Sequence, residues 1–339
     1  VFERLARQLQ SARRILLSTH ECPDGDGIGS LLALLAILAD DERAVRAATV
    51  GALPRSFRFL PGAEQVADWT RLDPAARRAL LEQTDLVLIV DTHSPAMIGS
   101  LGDALRASGL PVTYLDHHPL QPGAPEGVYC EPEASSTGEL AWCLARELTA
   151  ELDAAMATCL YAAIAYDTNS FKYLRGRSAT HQAAADLVAH GADTDAIYRH
   201  LFASNSRGKM RFVGEVLQRG AYAANGRIAW VRIPADLVEE CGVSRDDLRD
   251  AITMLLEVEG VEVAASFLAV GDGSCRVSLR SMGRYPVNCV AAELGGGGHV
   301  LAAGAHLPLP IARVIPLVME RLTAMLGAPP EGPDCATAS

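Results

Sequence analysis

Arg14-Ile15-Leu16-Leu17-Ser18-Thr19 is an apolar run of strand length that stops at His20-Glu21-Cys22-Pro23-Asp24-Gly25-Asp26, and a helix-like stretch, Gly27–Ala39, follows at once. A strand buried on both faces reads as an unbroken apolar run, and an abrupt polar end before a helical period marks a βα unit. The pattern recurs. Asp85-Leu86-Val87-Leu88-Ile89-Val90 runs into Asp91, and Pro111-Val112-Thr113-Tyr114-Leu115 runs into Asp116-His117-His118. A fourth apolar stretch, Cys159 to Tyr166, runs into Asp167 and suits either a strand or a helix. With helices such as Gly27–Ala39 and Ser135–Leu148 in between, the alternation predicts an α/β fold with an open parallel sheet and helices on both faces. Such sheets place ligands outside the carboxyl ends of their strands, so the His and Asp residues there are expected to converge on one crevice.

Further along, Thr194 to Arg219 is helical in period and contains Ser204-Asn205-Ser206-Arg207-Gly208-Lys209, which reads as a bridge between domains. Beyond it Arg227–Ile233, Val261–Val270 and Ser274–Arg280 read as strands, the last two joined as a hairpin by Gly271-Asp272-Gly273. Helices near Arg245–Glu257, Val287–Leu294 and Ile311–Leu326 complete a smaller C-terminal α+β domain. The expected layout is a catalytic domain over residues 1–193, a helical linker over 194–222, a second domain over 223–327 and a disordered tail over 328–339. The active site is expected in the cleft between the two domains.

A chain of 339 residues, 49% hydrophobic and 21% charged, can build two such cores. A net charge of −11 argues against gripping long nucleic acid through its phosphates, yet admits a short anionic substrate, because bound divalent ions reverse a local field. The eight cysteines form no C-x-x-C pair and read as reduced thiols. The longest nearly apolar run, Ile28 to Ala39, is too short for a bilayer, and no signal-like segment opens the chain; the expected location is the cytoplasm, away from membranes.

His20, Asp24 and Asp26 offer an imidazole and two carboxylates spaced by one residue, which suits adjacent cations; an Asp here also suits a helix cap. Asp91 and Asp167, each directly after an apolar run, suit a ligand, a cap or a turn. Two adjacent imidazoles after an acid, as in Asp116-His117-His118, are expensive to bury without a metal or phosphate to meet them. His20, Asp24, Asp26, Asp91, His117 and Asp167 together suffice for two divalent ions about 3.5–4 Å apart with Asp91 and Asp167 bridging. Oxygen-rich ligation favours Mn²⁺ or Mg²⁺ without excluding Co²⁺ or Zn²⁺. His93, close behind Asp91, suits either the site or a solvent-exposed loop, of which the loop is the expectation, and Cys22 is expected to be a small filler. His181, His190, His200 and His306 are expected to serve packing, capping or solubility.

These motifs, H-x-x-x-D-x-D at 20–26, Asp91, the triplet at 116–118 and D-T-x-x-F at 167–171, resemble in order those of the DHH phosphoesterases, over nearly the whole chain. The resemblance implies one metal on His20, Asp24, Asp91 and Asp167 and another on Asp26, Asp91, His117 and Asp167. It also implies His118 against the scissile phosphate and Asp116 orienting a neighbouring histidine, so that Asp91, Asp116 and His118 form the catalytic set. In the second half, Ser278-Leu279-Arg280-Ser281 and Gly295-Gly296-Gly297-Gly298-His299, with Ala302-Ala303-Gly304 beyond, resemble the substrate-binding motifs of a DHH-associated domain. Ser278, Arg280, Ser281, Gly296, Gly297, Gly298 and His299 are the expected substrate contacts: glycine amides can approach an anion closely, and an arginine can fork onto a phosphate. Asn169 departs from the Gly, and Met97 from the Arg, that relatives carry there; phosphate binding could shift to Arg207, Arg211 or Arg284.

Within the family the chain resembles bifunctional oligoribonucleases and pAp phosphatases. This implies a manganese-dependent hydrolase that trims RNA of about two to five nucleotides to 5′-mononucleotides and removes the 3′-phosphate of adenosine 3′,5′-bisphosphate. Phosphodiesterase action on linear or cyclic dinucleotides such as pApA is the alternative; pyrophosphate hydrolysis and silent nucleotide binding rank below it. The resemblance also suggests a homodimer.

Overall fold

A computed structural model of the chain describes residues 2–40, 42–120, 123–172, 174, 178–243, 245–271 and 273–327, with the side chains at 245, 246 and 299 outside that set. The tail expected after Gly327, and Asp272 of the expected hairpin turn, lie outside the described residues. The chain divides into two compact units, Val1–Ser204 and Asn205–Ser339.

The first unit opens with α1 (Phe2–Ser11), β1 (Arg14–Thr19), α2 (Gly25–Leu38), β2 (Ala44–Thr49), β3 (Val66–Asp68) and α3 (Pro74–Glu82). It continues with β4 (Leu86–Val90), α4 (Gly99–Ser108), β5 (Val112–Asp116), β6 (Val128–Cys130), α5 (Thr137–Glu147), α6 (Ala154–Asp167), α7 (Ser178–Ala189) and α8 (Thr194–Ile197). Its six strands lie in the order β3-β2-β1-β4-β5-β6, all pairs parallel. Alternate residues of the central strands enter separate cores. Ile15, Leu17, Leu88 and Val90 pack with α1, α2, α5 and α6, whereas Leu16, Val87, Ile89 and Tyr114 pack with Leu101 and Leu105 of α4 and Leu80 and Leu81 of α3. Helices therefore cover both faces, as expected.

The stretch left open between strand and helix, Cys159 to Tyr166, lies in α6. An apolar run hides a helical period when the helix is buried nearly all round, and α6 is: Ala157, Cys159, Leu160, Ala162, Ala163, Ile164 and Ala165 are all buried. Glycines bring the backbones together. A Cβ on Gly29 of α2 would stand 2.6 Å from the Cys159 carbonyl oxygen, and one on Gly138 of α5 would stand 2.5 Å from the Ala163 methyl.

The second unit comprises α9 (Arg207–Gln218), β7 (Ala221–Ala223), β8 (Ile228–Ile233), α10 (Ala235–Cys241), α11 (Arg245–Leu256), β9 (Val263–Ala269), β10 (Cys275–Ser281), α12 (Val287–Glu293), β11 (Gly297–His299), β12 (Ala302–Leu307) and α13 (Ile311–Gly327). Its mixed sheet runs β11-β12-β10-β9-β8-β7, with only β8 and β9 parallel. One face packs on α12 and α13 through Phe267, Val277, Leu279 and Ala305. The other packs on α9, α10 and α11 through Ala229, Val231, Ile233 and Ala264. Alternation along β10 leaves Arg276, Ser278 and Arg280 partly exposed between the buried Cys275, Val277, Leu279 and Ser281. Among the described residues no helix is long and apolar enough to cross a membrane.

Candidate active site

At the carboxyl ends of β1, β4 and β5 the first unit gathers all six expected ligands. Asp24 caps α2, accepting from the amides of Asp26 at 3.1 Å and Gly27 at 3.3 Å. The capping reading of this residue holds, and the cap leaves its carboxylate within reach of the cluster. Its carboxylate also faces His20, 3.9 Å from Nε2, and His20 Nε2 lies 3.5 Å from Asp91 Oδ2. On the other side of Asp91, Oδ1 lies 3.7 Å from His117 Nε2, which stands 3.7 Å from Asp26 Oδ2 and 3.3 Å from Asp167 Oδ2. The Asp91 carboxylate thus straddles two clusters, one with His20 and Asp24 and one with His117. Asp26, His117 and Asp167 form a further set of close donor atoms, as do Asp91, His117 and His118.

Backbone geometry places these groups. Asp91 turns the chain at the end of β4 with φ +63°, a left-handed conformation that Asp tolerates better than most residues. Asp167 is the last residue of α6, so a helix end supplies this carboxylate. Behind it Asn169, Ser170 and Phe171 have φ of 48°, 55° and 67°, and Asn is among the residues that adopt the left-handed state most readily. Gly27 is required by proximity: a Cβ there would come within 2.5 Å of Thr19 Oγ1, 3.2 Å of Asp91 Oδ2 and 3.5 Å of His20 Nε2.

The electrostatics call for positive charge. Burial, then the charges of Asp91, Asp167 and Asp24, push the Asp26 carboxyl well above the usual carboxylate range. Burial likewise raises Asp91. Burial opposes charge on His20, but Asp24 and Asp91 outweigh it and lift the imidazole to about 10. Hard and borderline oxygen and nitrogen donors, crowded acids and the open side of Gly27 fit divalent cations.

Two contributors escaped the sequence reading. The amides of Thr137 and Gly138, at the start of α5, donate to Asp26 at 2.7 and 2.8 Å, and the Thr137 hydroxyl lies 3.2 Å from Asp91 Oδ1. The Ser135-Ser136-Thr137-Gly138 run marked a helix start but not its target. His93, expected in solvent, is instead buried, with Nδ1 2.5 Å from Asp116 Oδ2. Asp116 also accepts from the backbone amide of His118 at 3.1 Å and from its Nδ1 at 2.8 Å. Burial works against the Asp116 charge, but His118 and His93 hold its carboxyl down to about 2. The histidines whose rings meet Asp116 are His118 and His93. Cys22, expected as a filler, is exposed, with φ +58°. His200 stacks on Phe59, His181 on Phe171, and His306 pairs with Ser274, in keeping with packing roles.

In the second unit Ser278, Arg280 and Gly297 line a cavity of about 260 Å³ with Arg249, Arg276, Ser266 and Gly304. None of the described residues lining it is acidic. Burial and the neighbouring Arg249 lower the Arg280 guanidinium. Ser281 points into the sheet interior, where its hydroxyl accepts from the Tyr285 amide at 3.4 Å. Gly296 and Gly298 press against the β12 backbone, 2.1 Å from the Gly304 oxygen and 2.6 Å from the Ala302 oxygen for an added Cβ. The His299 side chain lies outside the described residues.

Residues 14–164 match the model of the DHH family, N-terminal domain, and residues 231–327 match that of the DHHA1 domain. The chain belongs to the DHH family of metal-dependent phosphoesterases. Its relatives include the bifunctional oligoribonuclease and PAP phosphatase NrnA of Thermus thermophilus, 30% identical over 91% of this chain and 90% of the relative, and that of Bacillus subtilis, 26% identical over 89% and 92%. The cyclic-di-AMP phosphodiesterase GdpP of Geobacillus thermodenitrificans is 31% identical over 89% of this chain, which spans only 46% of that protein. In fold the chain matches the crystal structure of an exopolyphosphatase-related protein from Bacteroides fragilis, with a TM-score of 0.87 and 24% identity over 96% of this chain and 97% of the other.

Proposed function

We propose that this chain hydrolyses short oligoribonucleotides of about two to five units to 5′-mononucleotides and dephosphorylates adenosine 3′,5′-bisphosphate, acting in the cytoplasm with two divalent cations, Mn²⁺ foremost. The observation that carries the reading is the full-length likeness to the Thermus thermophilus oligoribonuclease and PAP phosphatase, joined to the Asp91 carboxylate that straddles two ligand clusters. In this reading His20, Asp24, Asp91 and Asp167 hold one cation and Asp26, Asp91, His117 and Asp167 the other. Bound there, such a pair lowers the pKa of water and neutralises charge on the attacking and leaving oxygens of an in-line displacement.

The remaining roles fall to side chains. His118 meets the scissile phosphate, and Asp116 fixes the ring through Nδ1. Thr137 and Gly138 hold Asp26 in place by two amides, so that its carboxylate need not reorganise as charge arrives. Arg280 and Ser278, with Arg249 and Arg276 around the same cavity, bind another phosphate of the substrate. Gly296, Gly297, Gly298 and His299 complete this proposed binding segment, and Ser281, turned into the sheet, supports it from behind through the Tyr285 amide.

A second reading, hydrolysis of linear or cyclic dinucleotides such as pApA, is favoured by the likeness to GdpP. One assay separates the two: Mn²⁺-dependent release of mononucleotide from 5′-phosphorylated tri- and pentaribonucleotides, with pAp, pApA and pyrophosphate in parallel and Asp91→Ala as the blank. Turnover of the oligoribonucleotides and pAp supports the first reading, turnover of pApA alone the second. Turnover of pyrophosphate alone, or of nothing with any metal, overturns both.

A further inference from the structure

Asp116 is fully buried at the end of β5, and a different imidazole meets each of its oxygens. Oδ1 receives Nδ1 of His118 at 2.8 Å and Oδ2 receives Nδ1 of His93 at 2.5 Å. The two rings differ in setting. The His118 side chain is 42% exposed, whereas that of His93 is 6% exposed, so only His118 opens onto solvent. His93 reaches Asp116 because the left-handed turn at Asp91 reverses the chain beyond β4, and the Ser94 amide, 3.2 Å from Thr92 Oγ1, ties that loop.

We propose that His93 is a positioning residue: it locks the Asp116 carboxylate in the orientation that holds the His118 ring for the phosphate. An ionised carboxylate only accepts hydrogen bonds, so each Nδ1 facing it carries the proton. That leaves Nε2 of His118 directed away from Asp116, and when this nitrogen also carries a proton it donates to a phosphate oxygen. Without a donor on Oδ2 the carboxylate is held at Oδ1 alone, by the His118 amide and Nδ1–H, and rotation about its Cβ–Cγ bond can then take Oδ1 off the line of the Nδ1–H. His93 acts at one remove, through Asp116, and touches neither substrate nor metal in this role.

The inference rests on the hydrolase reading above, and its test uses the full chain in two forms. His93→Asn retains an N–H donor close to the position of Nδ1; His93→Leu fills the space without one. With Mn²⁺ and a 5′-phosphorylated diribonucleotide, His93→Leu should lower kcat roughly tenfold to a hundredfold, the range seen when such supporting partners are removed. KM should change little, and His93→Asn should recover most of the loss at equal thermal stability. Equal impairment of both variants, or a change confined to KM, would overturn the inference. If the wild type turns over no substrate, the hydrolase reading fails and this one is decided separately by ¹H–¹⁵N spectra of the histidine rings. A protonated His118 Nδ1 whose signal shifts in His93→Leu and returns in His93→Asn supports the lock; a signal indifferent to both substitutions removes it.

Discussion

The backbone amide of Thr137 stands 2.7 Å from Asp26 Oδ2 although the two residues are far apart in sequence, and the hydroxyl of the same threonine stands 3.2 Å from Asp91 Oδ1. One residue at the start of α5 thus steadies an acid from the α2 end of the site and another from the end of β4. Thr137→Val removes only the hydroxyl. Mn²⁺ affinity measured by calorimetry should fall about tenfold to a hundredfold, with the fold intact, because second partners of ligating groups carry effects of that size. Unchanged affinity would reduce the contact to packing.

Gly27→Ala tests proximity. A helical Gly→Ala exchange ordinarily stabilises by about 1 kcal/mol. Here the methyl would stand 2.5 Å from Thr19 Oγ1 and 3.2 Å from Asp91 Oδ2, inside the space between the ligands. The expected outcome is a melting temperature within a few degrees of wild type, since propensity offsets the crowding, together with loss of metal binding and turnover. A variant that binds Mn²⁺ normally would show that the site has room for a side chain there.

The arginines of β10 should act on binding. Arg276→Ala and Arg280→Ala each remove a guanidinium from a cavity that no described acid lines. A hydrogen bond to a charged group contributes about 1.5–3 kcal/mol, so KM for 5′-phosphorylated substrates should rise about tenfold or more with kcat little altered. A fall in kcat at constant KM would move these residues into the chemistry instead.

Burial pushes the Cys159 thiol up to about 12. The sign follows from proton counting: above an unfolded-state value near 8.5 the unfolded chain loses the proton while the folded chain keeps it, so stability falls as pH rises through that window. For a thiol this deeply buried the slope is at most about 1.4 kcal/mol per pH unit. Urea unfolding at pH 7.5 and 9.5 should therefore show a smaller loss for Cys159→Ala than for the wild type. Equal losses would mean the thiol ionises freely in the fold.

Legibility in the sequence followed burial. β1, β4 and β5 lie between helices on both faces, so each is an uninterrupted apolar run and its terminal His or Asp stands out. β2 and β6 are only partly buried and β3 is a three-residue edge strand, and none was recognised. His93 was misplaced because nothing local signals its burial; the turn at Asp91 and a carboxylate on the next strand decide it. Arg249 was missed for the same reason: α11 brings it to the strand that carries Arg280, a pairing no spacing encodes.

Asp167 carries one consequence of being delivered by a helix. The carboxyl end of α6 holds the negative pole of the helix dipole, where a further carboxylate is disfavoured even though the amides of Thr168, Ser170 and Asn169 cap the carbonyls of Ile164, Ala165 and Tyr166. Beyond Thr168 three left-handed residues follow, a backbone state that an ordinary sequence avoids. A cation held at Asp167, as proposed above, would offset that negative pole from a single position in space.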